Sequence, residues 1–231
     1  MISYIAALAI GQNPVPTQVV PSVPIFLQAK ESKGDISTEL HSVTVRLGAQ
    51  NATFETVTLY RNRSTESAAS GSVRIPFFSN GYSPKANGEL TAKWMDQPVS
   101  GRRIALDLEK KDMPQSAGIV LTQGAYYEYA VTVPARGSAS LKTSFEIPLA
   151  KVALGQVARQ IAYRIEKTDQ PVGQFQFAIK YSPKEVFGVI DSLAPFKPFE
   201  VGANGAFVKS SGQPLPAGFI LFRYYPERQA N

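Results

Sequence analysis

The feature that most constrains this chain is a two-residue alternation that starts at His41 and returns in almost every later segment. Between His41 and Leu47, Val43, Val45 and Leu47 alternate with Thr44 and Arg46. Between Asn51 and Arg61, Phe54, Thr56, Thr58 and Tyr60 fall on one side and Glu55, Val57 and Leu59 on the other. A period of two is the signature of a half-buried strand, and a helix cannot satisfy it. Further strands are expected at Ser72–Phe78, Leu90–Trp94, Arg103–Leu108, Gly118–Thr122, Tyr126–Val133 and Ser140–Ile147. The same holds for Phe175–Tyr181, Glu185–Val189 and Phe219–Tyr225. Three Asn-Gly pairs, Asn80-Gly81, Asn87-Gly88 and Asn204-Gly205, are strong hairpin signals, because both residues tolerate the positive φ of a type I′ turn. The expected class is all-β, an antiparallel β-sandwich of immunoglobulin-like character.

One stretch resists this reading. Leu149, Val152, Ala153, Val157, Ile161 and Ile165 lie at helical spacing behind Pro148, whereas Gly155 opposes a helix and Gln160–Ile165 also alternates. A short helix near 148–160 and an extended crossover leading into a strand both remain open.

The first 32 residues differ from the rest. Ile5–Ile10 is apolar but far below the roughly 20 residues of a membrane-spanning helix, so no transmembrane span is expected. Ala7-Leu8-Ala9 has the small-x-small form of a secretory cleavage site, although no Lys or Arg precedes the apolar run. Residues 1–11 therefore read as a signal sequence, with an ordinary first strand as the plain alternative. Residues 12–32, with Pro14, Pro16, Pro21 and Pro24, read as an extended leader. Residues 33–231 form the β-sandwich region, as one unit or as two dividing near 115. The expected location is extracytoplasmic, periplasmic or secreted.

The order of turns and strands from Thr38 to about Val189 resembles a group of bacterial exported β-sandwich proteins of the vault-protein inter-alpha-trypsin (VIT) type. The resemblance is carried by the strand Leu40–Leu47, the strand ending in an Arg-Asn turn (Thr53–Asn62) and the strand ending in Pro-aromatic (Val73–Phe77). The Pro-x-x-Gly turn Pro134–Gly137 and a tyrosine-bearing strand near Tyr163 complete it. It implies an exported, non-enzymatic β-sandwich and supplies no ligand.

Charge and chemistry exclude more than they assign. The net charge is +6, but residues 1–115 carry 12 basic and 10 acidic side chains and residues 116–231 carry 12 and 8. No basic run exceeds two residues, so a specific nucleic-acid partner is not expected and weak binding to an anionic surface is a minor alternative. No cysteine is present, which removes disulfides and thiolate metal sites. His41 is the single histidine and opens a strand beside Glu39, so an exposed strand-edge histidine is expected in place of a general base. No G-x-S-x-G, Ser-x-x-Lys, P-loop or dinucleotide fingerprint occurs. Asp107, Glu109 and Asp112 lack the glycine of a calcium loop and are interrupted by Lys110 and Lys111, which fits a mixed-charge loop. No catalytic, cofactor or metal residue is assigned.

Aromatics remain. Tyr127, Tyr129, Val131 and Val133 share one face and read as core, and Trp94 is assigned to packing. Tyr126, Tyr224 and Tyr225 are the candidate binding surface, since tyrosine offers large, partly polar contact area. The functional expectation is a non-catalytic exported module for binding, adhesion or envelope association, with an unknown protein or glycan partner. The rival is an exported carbohydrate-active enzyme using two carboxylates, whose pairing only a structure reveals.

Overall fold

The computed structural model describes residues 18–80, 90–106, 121–153 and 157–226. The strands are β1 (Val19–Pro21), β2 (Ile25–Gln28), β3 (Ile36–Leu47), β4 (Asn51–Asn62), β5 (Ala69–Ser79), β6 (Thr91–Trp94), β7 (Gln97–Pro98) and β8 (Arg102–Leu106). After them come β9 (Gln123–Val133), β10 (Ser138–Pro148), β11 (Ala150–Ala153), β12 (Val157–Ile165) and β13 (Val172–Lys180). The last four are β14 (Gly188–Leu193), β15 (Glu200–Gly202), β16 (Gly205–Gln213) and β17 (Gly218–Tyr225). The chain is all-β.

One layer is an eight-stranded sheet in the order β15-β16-β13-β3-β4-β10-β6-β7. Facing it are a five-stranded sheet, β1-β5-β9-β8 with β2 also on β5, and a four-stranded sheet, β11-β12-β17-β14. Those two lie side by side. Val19–Pro21 pairs with Phe77–Ser79 of β5, Ser22 bridges Arg164 of β12, and the Val23 amide donates to the Arg164 carbonyl. The two layers meet through aromatic side chains, among them Phe26 on Tyr60, Phe77 edge-on to Phe145, and Tyr163 against Phe54 and Phe177. Strands from before and after residue 115 are adjacent in the large sheet, so the chain does not divide there into two units.

Alternation fixes which side chains enter the core. In β4, Ala52, Phe54, Thr56, Thr58, Tyr60 and Asn62 are all buried while Glu55 and Arg61 are exposed. A one-residue slip would turn this whole set outward, so the register is strongly specified. At the end of β4 the Asn62 amide donates to the Ser67 and Val133 carbonyls, and its oxygen accepts from the Asp35 and Ser64 amides. Asn62 is fully buried. One side chain thus replaces the partners that four backbone groups lose where the strand stops.

Several expectations are corrected. Among the described residues near 148–160 there is no helix: Ala150–Ala153 pairs with Val157–Gln160 as strands. The helical spacing arises because β12 is buried on both faces. Ile161, Tyr163 and Ile165 enter the main core, while Ala162 joins a second cluster with Val20, Phe78 and Leu221. Apolar residues then occupy odd and even positions alike, and the period of two disappears. Within the expected leader, Val19 and Val20 are buried in β1 and residues 25–28 form β2. Pro21 sits beside an edge position, which a residue without an N–H tolerates.

One pairing, β3 with β13, is parallel, so the sandwich is not wholly antiparallel. The strand expected at Glu185–Val189 starts only at Gly188, because the Glu185 carboxylate accepts from the Ser182 amide and closes a turn. Of the Asn-Gly pairs, Asn204-Gly205 does lie in a hairpin. Its loop is Ala203-Asn204, however, with Gly205 already paired to Gly202. The pairs at 80–81 and 87–88 extend outside the described residues, as do residues 1–17, the acidic group at 107–112 and most of Gly118–Thr122. Leu121 and Thr122 are described and lie outside any strand.

Candidate functional site

Polar chemistry gathers in two places, one sealed and one open. The sealed one surrounds His41, which is fully buried on the inner face of β3. Its Nδ1 lies 2.9 Å from Thr58 Oγ1 and its Nε2 lies 2.8 Å from the Tyr163 hydroxyl, across the two layers. A neutral imidazole carries one donor and one acceptor, and two hydroxyls can fill both roles without any charge. Burial lowers the His41 pKa to about 3 and raises that of Tyr163 well above its ordinary value. Phe175 and Tyr163 pack beside the ring. The expected exposed strand-edge histidine is therefore corrected: alternation places His41 inward with Val43 and Val45. No route from solvent to a substrate is evident in such a position, and the triad is a structural tie between layers.

The open place is at the end of the sandwich where β6 and β7 of the large sheet face β8 and β9 of the five-stranded sheet. A cleft of about 650 Å³ runs between them, a size suited to a small ligand. The β6–β7 hairpin turns at Met95 and Asp96, whose φ angles of 48° and 65° mark the type I′ conformation. Lys142 donates to the Asp96 carboxylate at 2.6 Å and holds its pKa below the usual carboxylate range. Leu90, Ala92 and Val99 line the cleft with apolar surface, and Thr91 and Ser100 add hydroxyls.

The opposite wall is aromatic. Tyr129 and Tyr127 lie on the inner face of β9. Tyr129 is almost fully buried, and burial raises its pKa so that the phenol stays neutral. Gly101 makes this placement possible: a Cβ there would lie 2.6 Å from the Tyr129 ring, closer than carbon atoms approach without displacement. Tyr127 is half-buried and meets Phe77 edge-on at 5.8 Å.

Charge is divided by the alternation of β8. Arg102 points to the outer face and binds Glu128 at 3.1 Å, which Arg74 also holds at 2.8 Å. Those hydrogen bonds keep the Glu128 pKa below its ordinary value. Arg103, one residue on, faces the cleft and is registered opposite Tyr127. Among the described residues it is the only charged one lining the cleft.

The candidate binding surface is dispersed by the fold. Tyr224 is 1% exposed and packs against Phe222, so it belongs to the core. The reason is its shared face with Ile220 and Phe222 on β17. Tyr126 lies on the outer face of the five-stranded sheet, with the Arg74 guanidinium 4.5 Å from its ring centre. Tyr225 is half-buried on the four-stranded sheet. The tyrosines that line the cleft, Tyr127 and Tyr129, are the pair the sequence assigns to core. Their inward orientation was readable, but the place where the sandwich gapes was not. Trp94 is half-buried and stacks on Tyr60 at 6.0 Å, in keeping with packing.

A carboxylate pair for glycoside hydrolysis would have to flank this cleft, and among the described residues no carboxylate lines it. A second groove of about 590 Å³ includes Glu166 and Asp169. There Glu166 is bound by Arg164 at 3.0 Å and receives a hydrogen bond from Ser22. Among the described residues no cluster of three or more His, Asp or Glu side chains forms a metal site.

No protein-family model matches the sequence, and no curated protein matches it. In three dimensions the chain is similar to the crystal structure of a proposed nutrient binding protein from Legionella pneumophila. The two superpose with a TM-score of 0.64 and 11% sequence identity, over 90% of this chain and 72% of that one. At that identity the likeness establishes a shared fold.

Proposed function

We propose that the protein is an extracytoplasmic, non-catalytic binding module that holds a small ligand in the β6–β9 cleft. The observation that carries the reading is the cleft itself, a concave space with an aromatic wall, scattered hydroxyls and, among the described residues, no carboxylate. Such a lining binds and orients, and it offers no acid–base pair for bond cleavage. Asp96 and Glu128, two described carboxylates close to it in sequence, are held in the ionised form by Lys142, Arg74 and Arg102, the opposite of what a general acid needs. The shared fold with a proposed nutrient binding protein supports ligand binding over adhesion. Export is supported by the apolar run Ile5–Ile10 and by Ala7-Leu8-Ala9. A polyanion partner is less well served. Arg46, Arg63, Arg74, Arg102, Arg164 and Arg223 all face carboxylates on the protein itself.

The test is a thermal-shift screen against small sugars, amino acids and organic acids, combined with mass spectrometry of the recovered compound. Binding to the folded state at 100 times Kd adds about 2.7 kcal/mol, which raises Tm, and the compound returns unchanged. Chemical conversion of the bound compound would overturn the non-catalytic reading. Fractionation of cells with N-terminal sequencing addresses location: a mature chain starting at Ile10 or Gln12 supports export, and a cytoplasmic chain retaining Met1 refutes it.

A further inference from the structure

Arg103 gives the cleft a chemical preference. Its neighbour Arg102 is neutralised by Glu128 on the outer face, but the inward-facing Arg103 has no hydrogen-bond or ion-pair partner among the described residues. The rest of the described lining is apolar or hydroxylic. A planar guanidinium, exposed at the wall of the cleft and opposite Tyr127, is matched by a carboxylate approaching in its plane. The apolar surface of Leu90 and Val99 and the half-buried ring of Tyr127 then suit a ring or short hydrocarbon body behind that carboxylate.

We propose that the cleft binds small organic acids, with Arg103 pairing the carboxylate and Tyr127 flanking a ring-shaped or apolar body. This rests on the reading that the cleft is the ligand site and adds the class of ligand. The two are separable, because neutral and anionic probes of one shape test class while the location of the response tests site.

The experiment titrates the full chain with benzoate and, separately, with benzamide, following backbone amide shifts by NMR at residues 99–103 and 127–129. Benzoate is expected to shift these amides and to bind at least about 10-fold more tightly than benzamide, the size of a charge-assisted hydrogen bond. In Arg103→Gln that advantage disappears, and in Arg103→Lys it returns in part. Raising salt weakens benzoate and leaves benzamide unchanged. Equal affinity of the two probes at the cleft amides, unaltered by Arg103→Gln, would overturn the organic-acid preference and leave the site standing. Benzoate shifts located elsewhere, or no shifts with either probe, would overturn both.

Discussion

At the centre of the sandwich, a histidine, a threonine and a tyrosine are joined by hydrogen bonds of 2.8 and 2.9 Å and surrounded by phenylalanines. At the β6–β9 end, two tyrosines and an arginine line a space of about 650 Å³. Both regions use inward-facing residues of alternating strands, so the difference does not arise from pattern. It arises from what stands opposite. His41 looks across to Tyr163 of a nine-residue strand, which closes the interior, and both ring nitrogens there find protein partners. Among the described residues, β8 and the cleft end of β9 face the four residues of β6 and the two of β7, and the layers part there. A polar side chain is then left facing solvent or a ligand. Polar residues at the centre are stabilising ties, whereas at the open end they remain available for recognition.

Stability measurements should divide along this line. Phe54 is fully buried and stacks on Phe145 at 5.2 Å, so Phe54→Ala should cost about 3–5 kcal/mol in denaturant unfolding. Arg103→Ala, at an exposed position, should fall within about 0.5 kcal/mol of the parent. Comparable losses for the two would break the contrast and make the cleft part of the core.

The second effect is pH-dependent and belongs to the centre alone. The unfolded imidazole of His41 takes up a proton near pH 6.5 and the folded one only near 3. The unfolded state therefore binds more protons throughout that interval, and stability falls as pH drops below 6.5. Between pH 7 and pH 5 the loss should be about 2 kcal/mol, at 1.36 kcal/mol per pKa unit. His41→Gln should be less stable at neutral pH and should lose most of this slope. A slope that persists in the variant would place the titrating group elsewhere.

The smallest effect lies in the hairpin that frames the cleft. Met95 holds a φ of 48° and its side chain is half exposed. Met95→Asn suits the type I′ turn and should stabilise by about 0.5–1 kcal/mol in thermal unfolding. A destabilised variant would show that Met95 contributes contacts that outweigh its backbone strain.

Much of this molecule was legible in the chain. Wherever one face of a strand is buried and the other is wet, as in β4, apolar and polar residues must alternate, and the class follows from counting by twos. The Pro134–Gly137 turn was equally visible, and its Gly137 amide does donate to the Pro134 carbonyl. Hairpin signals were less secure: the type I′ turn falls at Met95-Asp96, where neighbouring strands fix the geometry against local preference. β12 defeated the pattern because it is covered on both faces, and burial on a second side depends on segments far away in sequence, Val20 and Phe78 among them.

By itself, then, the sequence determined the strand class, the inward orientation of His41's neighbours and of Tyr127 and Tyr129, and the absence of thiol chemistry. Those are local properties of a backbone with a two-residue repeat and of the side chains it carries. Only the tertiary structure decided that Tyr224 is core, that Val19–Gln28 joins the sheets, and that β6–β9 leaves a cleft. These depend on which strands become neighbours and how long each one is opposite its counterpart. Neighbourhood between distant strands is set by the packing of whole sheets, which no single segment records.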